Sequence, residues 1–322
     1  MELMGTDIAR AKQLLERGQL VAIPTETVYG LAANALDPLA AAAIFEAKNR
    51  PHFDPLIIHT NSLEKVLNYV EFIAPPLRKL ADTFWPGPLT LLLPKKTVIP
   101  DIVSSGLDTV AVRIPKHPLT LDLLSRLDFP VAAPSANPFG YISPTTAAHV
   151  QKQLGHKVAY ILDGGPSEVG LESTIAGMEE NTVCVYRLGG LAISDIEAIV
   201  GPVALRINQS SNPKAPGQLK SHYAPRKPLF IGKLRELDAD YNTKSVGIIA
   251  FGRFKSINPH AEIINLSESG NYQEAAANLF SALRRLDESA CECIISELLP
   301  EEHLGIAIND RLKRAAAEKQ DK

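Results

Sequence analysis

Residues 202–227 are rich in proline and lack the hydrophobic periodicity of a helix or a strand, whereas the sequence on both sides is regular. Such a composition is typical of a linker, either slack or laid across another surface. The chain has 322 residues, too many for one ordinary hydrophobic core. We therefore predict a domain over residues 1–201, a linker over residues 202–227 and a small domain over residues 228–322.

Strand-like and helix-like segments alternate in the first domain. Asp37-Pro38 opens an alanine-rich helix that reaches about Lys48, and Pro51 prevents its continuation. Short apolar runs bounded by turn residues predict buried strands. The clearest runs are residues 19–24, 55–59, 89–94, 109–115 and 129–134. Mixed strands and helices with short connections predict an α/β or α+β domain around a twisted sheet.

The end of the first domain and the small domain also carry recognisable patterns. Ser194 and Glu197 have the spacing of a capping box, which predicts a helix that ends at Gly201. After the linker, apolar runs such as residues 245–251 and 292–298 alternate with helical stretches. Apolar runs of this kind are typical of parallel strands buried on both faces. The small domain is therefore predicted to be α/β with a parallel sheet.

Composition restricts the class of protein. The amino terminus has no signal-peptide pattern, and no apolar run approaches the ~18 residues of a membrane span. The three cysteines, Cys184, Cys291 and Cys293, show no zinc-ligand spacing, and a sparse odd number suits a reducing compartment. We therefore expect a cytoplasmic protein with no membrane association. The net charge of −3, without a basic stripe, disfavours stable tRNA binding.

Familiar catalytic motifs are missing from the sequence. It contains no Walker A sequence, no G-x-G-x-x-G, no H-E-x-x-H and no nucleophile elbow. Any nucleotide would have to be held by another arrangement of residues.

Two basic segments are candidates for anion binding. Lys48 and Arg50 leave the end of a predicted helix, and such a pair suits a polyphosphate, with Lys as a point charge and Arg as a fork. Taken alone, the pair fits a solvated helix end better, because cations are favourable there. Arg113 lies inside the apolar strand 109–115, so it must meet a carboxylate, a phosphate or the sheet edge. A structural ion pair and ligand binding both remain open for Arg113.

Three polar segments complete the candidates. Ser135 and Asn137 lie in a small-residue loop after a buried strand, and Ser143-Pro144 predicts a helix start with Ser143 as N-cap. Free amides and hydroxyls at such a helix start suit an anion. Thr27 lies in a polar turn, where it suits either a small polar substrate or a helix cap. His59 closes the strand 55–59 and is typical of a satisfied buried histidine.

The order of these segments resembles one family closely. PTETVYGLAANALD, KNRP, PLIIH, WPGPLTLLL, VAVRIP, APSAN and LESTI follow one another as in the YrdC-like domain of threonylcarbamoyl-AMP synthases, over about residues 7–200. The linker segment from Pro216-Gly217 to Pro225 and the small domain resemble the longer, two-domain form. The resemblance implies a YrdC-like twisted mixed-sheet domain followed by a small α/β Rossmann-like domain.

The resemblance also implies an activity and its residues. The family forms threonylcarbamoyl-AMP and pyrophosphate from L-threonine, bicarbonate and ATP, for threonylcarbamoyladenosine at position 37 of ANN-decoding tRNAs. Lys48 and Arg50 would be catalytic. The implied threonine-binding residues are Thr27, His59, Arg113, Ala133 and Ser173. The implied ATP-binding residues are Lys48, Arg50, Thr109, Ser135, Asn137, Ser143, Arg187 and His222.

Further expectations follow from the resemblance. Mg²⁺ would accompany ATP, the linker would act as a lid, and the product would pass to a tRNA threonylcarbamoyl transferase. The pattern departs at Asp54, where the family usually has Asn. A carboxylate there would repel a triphosphate unless a cation lies between them.

Two other functions remain alternatives. A YrdC-like cleft could bind structured RNA, although the acidic balance of the chain counts against this. A carbamoyl-transferring relative that handles carbamoyl-adenylate is the second alternative. The absence of a zinc-finger cysteine pattern and of an acylphosphatase-like extension argues against it.

Overall fold

The computed structural model describes residues 2–207 and 222–317, so the central part of the predicted linker, and with it the predicted lid, lies outside the described residues. As far as they are described, the residues form two compact units. The first comprises Met1–Phe139, Ser143–Glu168 and Glu172–Leu219, and the second comprises Gly140–Ile142, Val169–Leu171 and Lys220–Lys322. The predicted domain limits at residues 201 and 228 stay predictions. Within the described residues, every helix is too short or too polar to cross a bilayer.

The first unit contains one mixed sheet. Its strands are β1 (Met4–Gly5), β2 (Val21–Ile23), β3 (Gly30–Asn34), β4 (Ile57–His59), β5 (Leu89–Pro94), β6 (Thr109–Arg113), β7 (Val131–Ala132), β8 (Tyr160–Leu162), β9 (Thr174–Glu179), β10 (Thr182–Arg187) and β11 (Ala204–Leu205). Their order in the sheet is β1-β8-β2-β3-β7-β4-β6-β5-β9-β10-β11. The sheet contains both parallel pairs, such as β4–β6, and antiparallel pairs, such as β5–β6. The predicted mixed sheet is confirmed.

Helices in the first unit cover the sheet. They are α1 (Ile8–Glu16), α2 (Pro38–Lys48), α3 (Leu63–Val66), α4 (Pro75–Phe84), α5 (Asp101–Ser104), α6 (Pro118–Ser125), α7 (Ala147–Leu154) and α8 (Ile193–Val200). α1 and α6 pack on a buried cluster that includes Leu15, Ile23, Leu123 and Leu162. Burial of these side chains is the main stabilising term for this part of the fold.

Helix α2 shows how the sequence sets an element that positions the candidate site. Asp37 accepts a hydrogen bond from the amide of Leu39, and Pro38 occupies the first turn, where a missing N–H is harmless. The helix ends because Asn49 adopts a left-handed conformation, with φ of 52°. The predicted bounds of this helix are confirmed.

Two predicted helix caps are wrong. Thr146, not Ser143, caps α7, because its side chain accepts from the amide of His149. The Ser143 hydroxyl instead donates to the Glu172 carboxylate. At α8 the cap is Ala192, with no side-chain bond, so Ser194 and Glu197 form no capping box, although the helix does end at Gly201. In both places the helix begins at a different residue from the one that the cap pattern predicted.

The second unit contains a parallel sheet, as predicted. Its strands are β12 (Leu229–Ile231), β13 (Val246–Ala250), β14 (Ala261–Asn265) and β15 (Cys293–Ser296), and its helices are α9 (Leu234–Asp240), α10 (Tyr272–Glu288) and α11 (Gly305–Ala316). The sheet order is β12-β15-β13-β14, and all three pairs are parallel. A core around Ile248 and Ile295 holds the unit together. The small Rossmann-like α/β domain is confirmed.

Candidate active site

Strands β4 and β6 bring His59 and Arg113 side by side. The two residues are paired in register at the carboxyl ends of these parallel strands, and both are buried. Carboxyl ends of parallel strands are the usual place for ligand sites in α/β sheets. The pairing puts two predicted threonine-binding residues at one point of the sheet.

Arg113 is held from three directions. Its Nε donates to the carbonyl of Gly87 over 3.2 Å, and Nη1 donates to the Thr27 hydroxyl over 2.8 Å. Its Nη2 lies 2.7 Å from the Glu26 carboxylate in a buried ion pair. A guanidinium has five N–H donors, so among the described residues these contacts leave two for a ligand. Arg113 is thus both structurally paired and able to bind a carboxylate.

Thr27 is fixed by its own turn. Thr25 donates to the carbonyl of Val28 over 2.6 Å, and its hydroxyl lies 2.8 Å from that of Thr27. The amides of Thr27 and Val28 both point to the Thr25 oxygen. This arrangement is an ST-turn, in which a threonine hydroxyl bonds to the following backbone, and not a helix cap. It aims the Thr27 hydroxyl at Arg113.

His59 is a neutral histidine. Its Nδ1 lies 3.2 Å from the carbonyl of Ile57, so Nδ1 carries the proton and Nε2 is an acceptor. Burial, and next the positive charge of Arg113, lower the pKa of His59 to about 3. The ring therefore offers an acceptor without a charge at neutral pH.

The remaining threonine-set residues lie around the same strands. Ser173 precedes β9, and its hydroxyl lies 2.7 Å from that of Thr90 in β5. Arg187 donates to the Ser173 carbonyl and hydroxyl over 2.9–3.0 Å, and its charge acts on His59. Ala133 donates its amide to the carbonyl of Ile57, two residues before His59. The structure brings the predicted threonine set and Arg187 together.

Lys48 links two motifs that are far apart in the sequence. Its ammonium group donates to the carbonyl of Ser135 over 2.5 Å and to that of Asn137 over 2.6 Å. Burial, and next the charge of Arg50, lower the pKa of Lys48 well below its usual value. An ammonium group has three N–H donors, so one remains for a ligand among the described residues. Lys48 therefore holds the backbone of the loop that carries Ser135 and Asn137, two residues predicted to bind the same nucleotide.

Arg50 and Asp54 form a second buried ion pair, with Nη2 and Oδ2 2.9 Å apart. Arg50 also donates to the backbone carbonyls of Asp54 over 3.0 Å and of Pro55 over 2.8 Å. Asp54 is completely buried. We expected that a cation must neutralise the Asp54 carboxylate if a triphosphate binds nearby. The structure shows that Arg50 is in place to do so.

Glu172 connects Ser143 to the region around Lys48. Its hydroxyl lies 2.5 Å from Oε1 of Glu172, and the negative charge of Glu172 acts on Lys48. Asn137 donates its side-chain amide to the carbonyl of Pro138 over 2.8 Å. Lys48, Ser135, Asn137 and Ser143 therefore lie in one neighbourhood.

The last two predicted nucleotide residues are Thr109 and His222. Thr109 begins β6, at the opposite end of the strand from Arg113 and about 13 Å along it. His222 belongs to the second unit, where its ring packs 4.2 Å from that of Tyr223. Their nucleotide contacts stay predictions.

Comparison with known proteins decides the family. A family model for Sua5, YciO and YrdC proteins, described as telomere recombination, matches residues 13–189. A second model, for the C-terminal domain of threonylcarbamoyl-AMP synthase, matches residues 191–317. The threonylcarbamoyl-AMP synthase of Pyrococcus abyssi is 40% identical over 95% of this chain and 93% of its own length. The chain belongs to the threonylcarbamoyl-AMP synthase family.

Other members agree with this assignment. The threonylcarbamoyl-AMP synthase of Bacillus subtilis is 38% identical over 96% of this chain and 92% of its own length. The crystal structure of P. abyssi Sua5 complexed with L-threonine superposes with a TM-score of 0.91, at 38% identity over 98% of both chains. This member of the threonylcarbamoyl-AMP synthase family is thus a two-domain enzyme of the nucleotidyltransferase class.

Two acidic residues of this threonylcarbamoyl-AMP synthase family member escaped the sequence reasoning. Glu26 pairs with Arg113, and Glu172 accepts from Ser143. Both lie inside quoted motifs, PTETVYG and LESTI, where an acid stands among small or apolar residues. An acidic residue in such a segment could have indicated a buried ion pair or hydrogen bond, because acidic side chains are rarely buried without a partner.

Proposed function

We propose that this enzyme forms threonylcarbamoyl-AMP and pyrophosphate from L-threonine, bicarbonate and ATP. The observation that carries the proposal is Arg113, buried at a strand end with two N–H donors available among the described residues, beside Thr27 and His59. The relative from P. abyssi, which holds L-threonine, supports the same ligand here.

In this reaction the substrates supply the nucleophile. The amine of threonine forms a carbamate with carbon dioxide derived from bicarbonate, and a carbamate oxygen then attacks the α-phosphate while pyrophosphate leaves. No protein nucleophile is needed, so the protein contributes positioning and charge neutralisation. This requirement matches a site built from buried cations and neutral acceptors.

Each side chain has a role that its contacts support. Arg113 would bind the threonine carboxylate with the N–H donors that its protein contacts leave over. Neutral His59 would offer Nε2 as an acceptor to the amine or hydroxyl of threonine. Thr27 would orient the same substrate through its hydroxyl.

The phosphates would lie against the Lys48 region. The third N–H of Lys48 and the loop 135–137 that it holds suit phosphate oxygens. Arg50 would add positive charge, moderated by its partner Asp54.

Mg²⁺ is proposed to arrive with ATP. Among residues 2–207 and 222–317, no group of three His, Cys, Asp or Glu side chains could hold a metal ion. Mg²⁺ commonly keeps several waters and binds through substrate phosphates with few protein ligands. Such an ion would neutralise part of the phosphate charge.

The product is proposed to serve tRNA modification. Threonylcarbamoyl-AMP is a mixed anhydride, which readily gives up its acyl group, and its acceptor would be a tRNA threonylcarbamoyl transferase acting at adenosine 37 of ANN-decoding tRNAs. The net charge of −3 supports hand-over to such a partner in preference to stable tRNA binding.

The test is pyrophosphate release from ATP, with threonine and bicarbonate each omitted in turn. We expect release only when both are present, together with threonylcarbamoyl-AMP in the mass spectrum. Release that is indifferent to threonine would contradict the substrate assignment and favour carbamoyl chemistry.

A further inference from the structure

The Glu26–Arg113 ion pair is an unusual feature of the threonine region. Each side chain is only 4% exposed, and the Arg113 Nη2 and Glu26 Oε1 atoms lie 2.7 Å apart. The other carboxylate oxygen, Oε2, accepts the amide of Lys116 over 2.9 Å. Glu26 is therefore fixed by the backbone and does not depend on Arg113 for its place.

Neither the stability of the fold nor the orientation of Arg113 requires the Glu26–Arg113 ion pair. Burying two charges removes both from water, and well-packed apolar residues of similar volume are often as stable or more so. Arg113 is already fixed by Gly87 and Thr27, so orientation does not require a third partner. The carboxylate adds one thing that these neutral partners lack, which is a negative charge.

Among the described residues, Arg113 is the cation in contact with the Glu26 carboxylate. His59 is neutral, whereas Arg187 donates to the neutral Ser173 carbonyl and hydroxyl and keeps its own positive charge there. A ligand carboxylate at Arg113 would put two carboxylates on one guanidinium, and these three groups together would carry a net charge of −1. Such an excess is unfavourable unless the ligand also brings a positive charge close by.

We infer that Glu26 is a specificity-determining residue that selects zwitterionic amino acids over plain carboxylate anions. It balances Arg113 in the empty site, and the ammonium group of the amino acid balances Glu26 in the occupied site. The inference rests on the proposed threonine site and adds a reason why that site accepts an amino acid in particular.

The first experiment uses the unmodified full chain. Isothermal titration compares L-threonine with (R)-3-hydroxybutyrate, which is the same molecule without the amine. We expect 3-hydroxybutyrate to bind at least ten times more weakly. A smaller ratio overturns the inference while leaving the threonine site intact, whereas no binding of threonine overturns both the inference and the proposed function.

The second experiment changes the charge at constant shape. Glu26→Gln should reduce the threonine-to-hydroxybutyrate preference at least tenfold, because the carboxylate anion no longer meets a second negative charge. Glu26→Asp, which keeps the charge, should retain the preference within about threefold. An unchanged preference in Glu26→Gln, or its loss in Glu26→Asp, overturns the inference.

A more exposed Glu–Arg pair provides a control for the Glu→Gln change itself. Glu179 is ion-paired with Arg206 over 2.7 Å, outside the threonine region. Glu179→Gln should leave the ligand preference unchanged. If Glu26→Gln does not fold, a preference below tenfold in the unmodified chain, or its loss in Glu26→Asp, still overturns the inference.

Discussion

Burial of neutral His59 makes the first unit sensitive to mild acid. The folded pKa of His59 is about 3, against 6.5 in the unfolded chain. Between these pH values the unfolded state binds a proton that the folded state does not bind. The contribution of His59 to the free energy of unfolding is therefore fully present above pH 6.5 and is lost as the pH decreases towards 3. From pH 7 to pH 5 the expected loss is about 2 kcal/mol in the free energy of unfolding.

The measurement is urea unfolding of the full chain at pH 7, 6 and 5, followed by tryptophan fluorescence. Trp85 is the single tryptophan of the sequence and lies in the first unit, where its indole N–H donates to the carbonyl of Leu89 over 2.7 Å. Its emission therefore reports unfolding of the unit that contains His59. The free energy follows from the midpoint and slope of the transition.

The matched variant is His59→Gln, which keeps a polar side chain but has no titration in this range. Other groups titrate equally in both proteins, so the difference between their pH profiles isolates His59. The wild type should lose about 2 kcal/mol more than the variant between pH 7 and pH 5. Parallel profiles would refute the reasoning that His59 is held neutral by burial and by Arg113.

The remaining predictions concern the charged groups. Lys48→Ala and Arg50→Ala should each lower kcat/KM by roughly 10²–10³, as lost electrostatic donors do, and full activity in both would place the phosphate site elsewhere. Arg113→Ala should mainly raise the KM for threonine, and an unchanged KM would end its carboxylate role. Asp54→Asn should lower the KM for ATP, because it removes a negative charge beside Arg50, at a loss of about 1–3 kcal/mol in unfolding free energy. A higher KM for ATP would contradict that reasoning.

Short-range sequence patterns predicted many of the helices and strands. The start and end of α2 follow from Asp37-Pro38 and from the residues after Lys48, and the apolar runs became strands within a few residues. These features depend on neighbours in the sequence, which pattern reasoning can assess.

Long-range contacts limited the prediction of the site. The Ser143 hydroxyl bonds to Glu172, which lies 29 residues away, and this bond replaces the helix cap that the local sequence favours. Lys48 was predicted to hold phosphate, yet two of its donors bind carbonyls 87 and 89 residues away. Spacing along the chain carries no information about such partners, because the fold alone brings them together.

The bonds from Lys48 to the carbonyls of Ser135 and Asn137 have a consequence for protein engineering. A designer who grafts the 134–137 loop onto another scaffold would transfer the hydroxyl and amide but leave behind the ammonium group that sets the path of their backbone. The end of α2 and this loop form one transplantable part, and arginine cannot replace the lysine in it, since a planar fork does not fit where a compact ammonium bridges two carbonyls.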